Sequence, residues 1–386
     1  MQKIKKIVLV GTTGASFYGF RADLIVAMVA AGHKVYAFTS EYTDACLEKI
    51  IALGAIPITY NLSRGGLNPF ADIASMLELT QKFKQIKPDI VFSYFAKPVI
   101  YGSIAAKRAK VPHIIGMLEG LGYTFTDQPN GQNFKTKLIR LIQVQLYRFA
   151  LPCLDQMIFL NPDDKKDLID HYALKVAKTH ILGGIGLNLS EYSYSVASSE
   201  PVAFLFMGRL LKEKGIFEFV DAVRMVKAKY PHAQFTVLGA IDYQNMGALT
   251  QDTLDQFIAE QLFTYPGHIS NVKDWLRSCS VFVLPSYREG VPRSTQEAMA
   301  IGRPVITTDV PGCRETVIDG INGFLVPRWN AEALAEKMCY FMENPNQVNR
   351  MGQESYKIAL QRFDVNVVNN RLFVIMGLDE SYEKIS

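Results

Sequence analysis

Short runs of hydrophobic residues alternate along this chain with longer segments whose apolar positions recur at helical spacing. The runs are residues 7–10 (IVLV), 35–39 (VYAFT), 89–94 (DIVFSY) and 156–160 (QMIFL), followed by 202–207 (VAFLFM), 235–239 (FTVLG), 281–286 (VFVLPS) and 304–309 (PVITTD). Apolar runs of this length between helical segments indicate buried strands of parallel sheets with helices on both faces. The pattern predicts an α/β protein with two doubly wound parallel sheets.

A polar stretch separates the two sets of strands. Residues 188–201 (NLSEYSYSVASSEP) are rich in serine and follow neither a helical nor a strand period, which is typical of a linker. We therefore predict an N-terminal domain over residues 1–185, a linker over 186–199 and a C-terminal domain over 200–365. Because ligands of open parallel sheets bind beyond the carboxyl ends of the strands, we expect the domains to face each other across a cleft that holds the site.

Composition favours a folded protein without a membrane span or a metal site. Of the 386 residues, 49% are hydrophobic, and no apolar stretch reaches the roughly 18 residues of a spanning helix. Five cysteines lie without paired spacing, which favours reduced thiols in the cytoplasm. Residues 1–183 hold 22 Lys and Arg against 14 Asp and Glu, a net charge of +8, whereas residues 184–386 hold 19 against 23, a net charge of −4. A basic half suits nucleic acid, an anionic membrane surface or an acidic substrate.

Two glutamates flank the start of a predicted helix in residues 287–305 (YREGVPRSTQEAMAIGRPV). The first amides of a helix carry partial positive charge, which suits a phosphate, and Gly290 lets the backbone approach it closely. Glu289 lies in the loop, and Glu297 lies one turn into the helix, where its carboxylate can accept two hydrogen bonds from a diol such as ribose. For Glu297 alone there is a structural alternative, a capping box with Ser294.

A second strand-loop-helix segment, residues 204–220 (FLFMGRLLKEKGIFEFV), carries cations at its loop. Gly208 and Arg209 follow the strand, and Lys214 stands before the helix. The side chains of Arg209 and Lys214 can reach one point above the strand end, where they would neutralise a diphosphate. Lys212 is an alternative to Lys214, and a solvated basic loop is the alternative to a binding site.

Two segments together carry a resemblance to a known family. Residues 207–215 (MGRLLKEKG) and residues 284–327 (LPSYREGVPRSTQEAMAIGRPVITTDVPGCRETVIDGINGFLVP) resemble the retaining glycosyltransferases of family 4, which have the GT-B fold of two Rossmann-like domains. The resemblance is specific in the second half and weaker but continuous in the first. It implies that a C-terminal helix, at about residues 366–386, crosses back to the first domain. It also implies a reaction without metal or cofactor, and the chain has no Asp-x-Asp element to hold a metal on a diphosphate.

The resemblance also implies roles for the residues of both segments. Glu289 would contact the hydroxyls of the transferred sugar, Glu297 the ribose, and Arg209 and Lys214 the diphosphate, while backbone amides near Gly290 and Val291 would fix the sugar and its phosphate. Attack from the front face, with the departing phosphate oxygen helping to deprotonate the acceptor, is the mechanism generally ascribed to this family.

The first half contributes further candidates. Gly14 ends a turn after the first strand (GTTG) that brings backbone close to a ligand, although two glycines alone are a weak signal. Glu119 lies between glycines beyond an apolar strand, where many family relatives have a histidine, so the resemblance implies contact with the acceptor or the transferred sugar. A solvated loop is the alternative for Glu119.

Three segments narrow the resemblance to enzymes that build bacterial lipid-linked glycans: residues 63–70 (SRGGLNPF), 119–122 (EGLG) and 183–189 (GGIGLNL). Enzymes of this subgroup move a sugar from a UDP-sugar to a saccharide on undecaprenyl diphosphate. Arg64 and Lys97 are candidates for contacts with the diphosphate of the acceptor, with a solvated surface as the alternative.

Residues 133–149 (NFKTKLIRLIQVQLYRF) combine an apolar helical face with neighbouring cations. The apolar residues are Phe134, Leu138, Leu141, Ile142 and Phe149, and the cations are Lys135, Lys137 and Arg140. This combination favours binding to anionic lipid headgroups. The equal alternative is that this helix simply packs on the sheet.

The sequence therefore predicts a metal-independent retaining glycosyltransferase that is cytoplasmic and peripheral on the inner face of the cell membrane. It would move a hexose or N-acetylhexosamine from a UDP-sugar to a lipid-linked saccharide in bacterial polysaccharide or glycan assembly. One alternative is a soluble retaining transferase that makes a small glycoside or storage glucan. Another is a nucleotide-binding regulator associated with nucleic acid, which no recognised nucleic-acid module in the sequence supports.

Overall fold

The structure of this chain is a computed structural model that describes residues 4–62, 68–243 and 245–378. Arg64, a candidate for the acceptor diphosphate, lies outside these residues, as do residues 379–386 of the predicted terminal helix.

Seven parallel strands form the first sheet, in the order β3-β2-β1-β4-β5-β6-β7. Their bounds are β1 Lys6–Val10, β2 Lys34–Thr39, β3 Ile56–Thr59, β4 Ile90–Tyr94, β5 His113–Leu118, β6 Gln156–Phe159 and β7 Thr179–Ile181. In the centre, Leu9 is in register with Ala37 on one side and Phe92 on the other. All three side chains are fully buried, because helices cover both faces of the sheet.

Six parallel strands form the second sheet, in the order β10-β9-β8-β11-β12-β13. Their bounds are β8 Ala203–Met207, β9 Gln234–Leu238, β10 Thr264–Gly267, β11 Val281–Leu284, β12 Val305–Thr308 and β13 Gly323–Val326. The predicted pair of doubly wound parallel sheets is confirmed.

Fourteen α-helices connect the strands within the described residues. They are α1 Gly14–Phe20, α2 Ala22–Ala30, α3 Asp44–Ala52, α4 Pro69–Ile86, α5 Ser103–Arg108, α6 Phe134–Ala150, α7 Pro162–Lys165, α8 Ile216–Lys229, α9 Gln251–Ala259, α10 Val272–Ser278, α11 Arg293–Ile301, α12 Ala331–Glu343, α13 Asn346–Arg362 and α14 Val365–Ile375. Polar side chains begin several of them: Thr43, Asn68, Thr250 and Asn330 each accept a backbone amide at an N-cap.

The chain divides into two compact units. The first comprises residues 1–121, 135–185 and 365–386, and the second comprises residues 122–134 and 186–364. This division places residues 122–134, which the sequence assigns to the N-terminal domain, in the second unit.

Residues 186–199, predicted as a linker, also belong to the second unit. The guanidinium of Arg303 donates to the carbonyl and hydroxyl oxygens of Ser195 at 2.7 Å each, and Asn349 exchanges two hydrogen bonds with the backbone of Ala197. Because these backbone groups are bonded to the second unit, most of this polar stretch packs against that unit.

Candidate functional site

Most of the predicted donor-binding residues lie in the second unit, in the loops that follow β8 and β11, and Glu297 lies in helix α11. These strands are neighbours at the point where the strand order of the sheet reverses. Ligands of doubly wound sheets bind in the crevice outside such a switch point. Gly208 and Arg209 directly follow β8, and Glu289 and Gly290 lie between β11 and α11.

Lys214 and Glu289 are brought into direct contact. The ammonium of Lys214 pairs with Oε1 of Glu289, and the two side chains are only 19% and 12% exposed. The same carboxylate oxygen accepts a hydrogen bond of 2.7 Å from the hydroxyl of Ser286, which is fully buried. The carbonyl of Ser286 in turn accepts the hydroxyl of Thr308. Glu289 is therefore held in place at the strand ends.

Close backbone contacts hold the loop that carries Glu289. The amide of Glu289 donates to the carbonyl of Pro311 at 3.0 Å. Gly312 has a φ of +79°, and a Cβ atom there would lie 2.2 Å from the carbonyl oxygen of Glu289 and 2.4 Å from that of Gly290. Only glycine fits this position. Next to it, burial and the charge of Glu289 raise the pKa of Cys313 to about 12, so the thiol stays protonated.

Glu297 is held by two side chains of the second unit. The hydroxyl of Tyr192 donates to Oε1 of Glu297 at 2.9 Å, and Nε of Arg293 donates to the same oxygen at 3.0 Å. Helix α11 begins at Arg293 after Pro292 and has no side-chain cap. The capping-box alternative is therefore wrong, because Ser294 lies inside the helix rather than at its N-cap. Val291, just before the helix, is 6% exposed.

Arg209 points to a carboxylate that the sequence analysis did not single out. Its Nη1 donates to Asp242 at 2.7 Å, and the Arg209 side chain is 57% exposed. A cavity of about 470 Å³ opens beside this pair at the carboxyl ends of β8, β9 and β10, and Gly208, Leu238 and His268 are among its lining residues. Its size lies in the range of about 300–1,000 Å³ that is usual for small-molecule sites.

Glu119 and Gly14 lie in the first unit. Glu119 forms an ion pair with Arg21, whose side chain is 2% exposed, while Glu119 is 13% exposed. The Arg21 guanidinium also lies over the ring of Tyr94, 4.9 Å from its centroid. The solvated-loop alternative for Glu119 is therefore wrong. A Cβ at Gly14 would lie 3.2 Å from Cys46 and Tyr42, so tight packing gives this glycine a structural reason as well.

Lys97, proposed from the sequence as an acceptor contact, is also paired. Its Nζ lies 3.0 Å from Oδ1 of Asp72, and the hydroxyl of Tyr101 donates to Oδ2 of the same carboxylate at 3.0 Å. Asp72 is 2% exposed and Lys97 is 16% exposed. The solvated-surface alternative for Lys97 is therefore wrong.

Helix α6 exposes the apolar stripe that the sequence predicts. All five residues of the stripe are exposed: Phe134 by 80%, Leu138 by 46%, Leu141 by 54%, Ile142 by 37% and Phe149 by 72%. The buried face of α6 is a different one, which includes Val144, Tyr147 and Ala150. The helix therefore packs through that other face, as the alternative expects, while the stripe itself is exposed.

The described residues 4–62, 68–243 and 245–378 contain neither a metal-binding group nor a membrane-spanning helix. In that part of the chain, no three side chains of His, Cys, Asp or Glu are grouped so that they could hold a metal ion. None of its helices combines the length and the apolar character that crossing a membrane requires.

Comparison with known proteins identifies the family. Residues 193–358 match the family model of glycosyl transferases group 1, and residues 6–159 match the model of glycosyl transferase 4-like proteins. The chain is 30% identical over 372 residues to N,N'-diacetylbacillosaminyl-diphospho-undecaprenol alpha-1,3-N-acetylgalactosaminyltransferase of Campylobacter jejuni, covering 93% of this chain and 94% of that protein. It is 25% identical over 268 residues to UDP-Gal:alpha-D-GlcNAc-diphosphoundecaprenol alpha-1,3-galactosyltransferase of Escherichia coli, covering 66% of each.

A solved structure shows the same fold. The crystal structure of Anabaena HepE in complex with UDP-glucose superposes with a TM-score of 0.76 at 18% identity, covering 97% of this chain and 100% of that one. These findings confirm the resemblance stated from the sequence motifs and the predicted GT-B fold. The chain is a glycosyltransferase and belongs to the family that the group 1 and 4-like models describe.

Proposed function

We propose that this enzyme moves a hexose or N-acetylhexosamine, with retention, from a UDP-sugar to a saccharide on undecaprenyl diphosphate in bacterial polysaccharide or glycan biosynthesis. The observation that carries the proposal is the set of charged groups that follow β8 and β11 at the switch point: Arg209, which lines the cavity of about 470 Å³, and Lys214, Glu289 and Glu297. The Campylobacter and Escherichia relatives, which are named for acceptors on undecaprenyl diphosphate, support the acceptor class. Neither alternative function has such support.

The geometry suggests how the donor would bind. The base would enter the cavity beside Gly208 and His268, and the carboxylate of Glu297 would accept the ribose hydroxyls. The diphosphate would take Lys214 and Arg209 from their present carboxylate partners. These cations and the positive end of helix α11 would then stabilise the departing UDP electrostatically, without a metal or cofactor.

Glu289 would read the hydroxyls of the transferred sugar. Its fixed position, held by Ser286 and the contacts of Gly312, suits a group that must orient a substrate. The acceptor hydroxyl would attack from the face that UDP leaves, and its proton would pass to the departing phosphate oxygen.

Calorimetry and thermal shift test the donor site. We expect UDP to bind in EDTA more tightly than GDP or ADP and to raise the melting temperature. Glu289→Ala should abolish transfer but leave UDP binding largely intact, whereas Glu297→Ala should weaken UDP binding. The control is Glu336→Ala, whose carboxylate side chain is 72% exposed. If both site variants transfer normally in a folded protein, the donor site is wrong, and preference for GDP or ADP would overturn the choice of UDP.

The exposed stripe on α6 supports peripheral binding to the inner face of the cell membrane. Phe134 and Phe149 are 80% and 72% exposed, and the basic side chains of Lys135 and Lys137 are exposed on the same helix. Apolar side chains that enter the headgroup region next to cations bind anionic lipids. A lipid-linked acceptor would be reached from this position.

Vesicle sedimentation tests the membrane proposal. We expect binding to phosphatidylglycerol vesicles but little binding to phosphatidylcholine vesicles. Because burying a large apolar side chain contributes about 1.5–3 kcal/mol, Phe149→Ser should weaken partitioning tenfold or more. Ile318→Ser, at a 50% exposed position of the second unit, is the matched control. Equal binding by wild type and Phe149→Ser, or by both vesicle types, would contradict the proposal.

A further inference from the structure

A second cavity lies in the second unit, apart from the cavity at β8–β10. Its volume is about 380 Å³, which is sufficient for a small ligand. Three segments line it: residues 123–133, residues 212–217 before and within α8, and residues 246–253 at the start of α9. All three belong to the second unit, although the first comes from the N-terminal half of the sequence.

The lining combines amides with aromatic rings. It includes four amide side chains, Gln128, Asn130, Gln132 and Asn133, and two aromatic rings, Tyr123 and Phe217. An amide offers both donors and an acceptor, which matches sugar hydroxyls that donate and accept. A ring offers an apolar face to the C–H face of a sugar. The charged side chains in the lining, Lys212 and Glu213, have opposite sign, so the lining favours a neutral ligand over a nucleotide or free phosphate.

Three of these lining residues hold buried polar atoms that lack a hydrogen-bond partner in the part of the chain that the structure describes. The atoms are Nε2 of Gln128, Oε1 of Gln132 and Oε2 of Glu213. Folded proteins keep few such atoms, because each one forfeits its bonds to water without a replacement. Small side-chain rotations would let a ligand rich in hydroxyl groups satisfy atoms at the cavity wall.

One wall of the cavity is held before any ligand binds. The Gln132 amide donates to the carbonyls of Thr124 at 3.0 Å and Thr126 at 2.8 Å, which closes the loop on itself. Asp127 in the same loop pairs with Arg328 at 2.9 Å, which ties the loop to the rest of the second unit. Because this wall is already fixed, ligand binding would cost less conformational entropy.

We propose that this cavity is a saccharide subsite, separate from the donor site, that binds a sugar residue of the acceptor. The inference rests on the proposed function for the identity of the acceptor. The occupancy of the cavity by a neutral saccharide can be tested without transfer.

Saturation-transfer difference NMR measures that occupancy directly, with N,N'-diacetylchitobiose and lactose as soluble probes. Gln128→Ala removes one amide and should weaken binding roughly five- to tenfold, as expected for the loss of a hydrogen bond. Met246→Trp, at a 60% exposed position in the lining, fills the cavity and should abolish binding. Gln353→Ala, an exposed glutamine on α13, is the matched control. Equal binding of a probe by wild type and Met246→Trp overturns the subsite.

Steady-state kinetics separates the subsite from the proposed function. We expect Gln128→Ala to raise the acceptor KM roughly five- to tenfold, with the donor KM and the Kd of UDP unchanged. If Met246→Trp raises the Kd of UDP, the cavity belongs to the donor and the inference fails. Normal acceptor KM values in both variants, with no signal from either probe, also reject the subsite and leave the transferase standing. If the wild type transfers no sugar but binds a probe that Met246→Trp does not bind, the subsite stands and the proposed function fails.

Discussion

Replacing Tyr192 with phenylalanine tests the anchoring of Glu297. The hydroxyl of Tyr192 donates to Oε1 of Glu297 at 2.9 Å, and the two residues are 6% and 9% exposed. Burial and the neighbouring carboxylate raise the pKa of Tyr192, so the hydroxyl keeps its proton and acts as the donor. In Tyr192→Phe, Glu297 retains the bond from Nε of Arg293 but loses the other.

The expected cost follows from this geometry. A hydrogen bond to a charged group contributes about 1.5–3 kcal/mol to the free energy of unfolding. For a unit of 150–250 residues, that loss lowers the melting temperature by roughly 3–12 °C. A carboxylate with one anchor fewer would also hold ribose less well, so we expect the Kd of UDP to rise by up to about tenfold.

Calorimetry with UDP in EDTA and thermal melts measure both effects. In the Glu297→Ala background, Tyr192→Phe should change the Kd of UDP no further, because the two residues act through one contact. Tyr340→Phe, whose ring packs against Phe324, is the control for hydroxyl loss elsewhere in the unit. Unchanged melting temperature and unchanged Kd would refute the anchoring. A lower melting temperature with unchanged Kd would make the pair structural and remove Glu297 from the ribose site.

Three further variants test the surroundings of the site. Gly312→Ala should destabilise the fold by about 1–3 kcal/mol or more and weaken UDP binding, because a Cβ would strike the carbonyl of Glu289; normal melts and calorimetry would contradict this. Burial raises the pKa of Glu213, so its contribution to stability is favourable below the unfolded pKa of 4.5 and is lost as pH rises through the folded pKa. The melting temperature of Glu213→Gln relative to wild type should therefore be higher at pH 7 than at pH 4. The opposite trend would refute the raised pKa of Glu213. Asp242→Asn should tighten UDP binding only a few-fold in low salt, because its pair with Arg209 is exposed, and weaker binding would show that Asp242 assists the donor.

The sequence predicts much of the fold because the apolar runs are long and buried. Residues 7–10 form most of β1 and have no exposed surface, and residues 281–284 form β11 in the same way. The apolar runs do not predict the edge strand β7 or the short strands β10 and β13. Strand β10, TYPG, contains a proline and a glycine that ordinarily indicate a turn.

The anchors of the predicted site residues could not be predicted in the same way. Tyr192 lies 105 positions from Glu297, and Arg21 lies 98 positions from Glu119. Tertiary folding alone brings such pairs together, and no spacing within a motif signals them. The serine-rich composition that predicts a linker gives no indication that Tyr192 is buried. A polar stretch can nevertheless pack closely when its backbone and side chains find hydrogen-bond partners in the same unit.

The carboxylates that pair with Arg209 and Lys214 suggest the order in which the parts of the donor would bind. Arg209 and Lys214 are each paired with a carboxylate, so the loops present little net charge before a donor arrives. The ion pair of Arg209 with Asp242 is exposed, so Arg209 can leave it for a phosphate at little cost in free energy. Lys214 and Glu289 are less than 20% exposed, so water competes less with their ion pair. Under the proposed function, a diphosphate that draws Lys214 away also frees an oxygen of Glu289 for the sugar hydroxyls. Recognition of the sugar would then depend on the diphosphate, and a free sugar would find Glu289 already occupied.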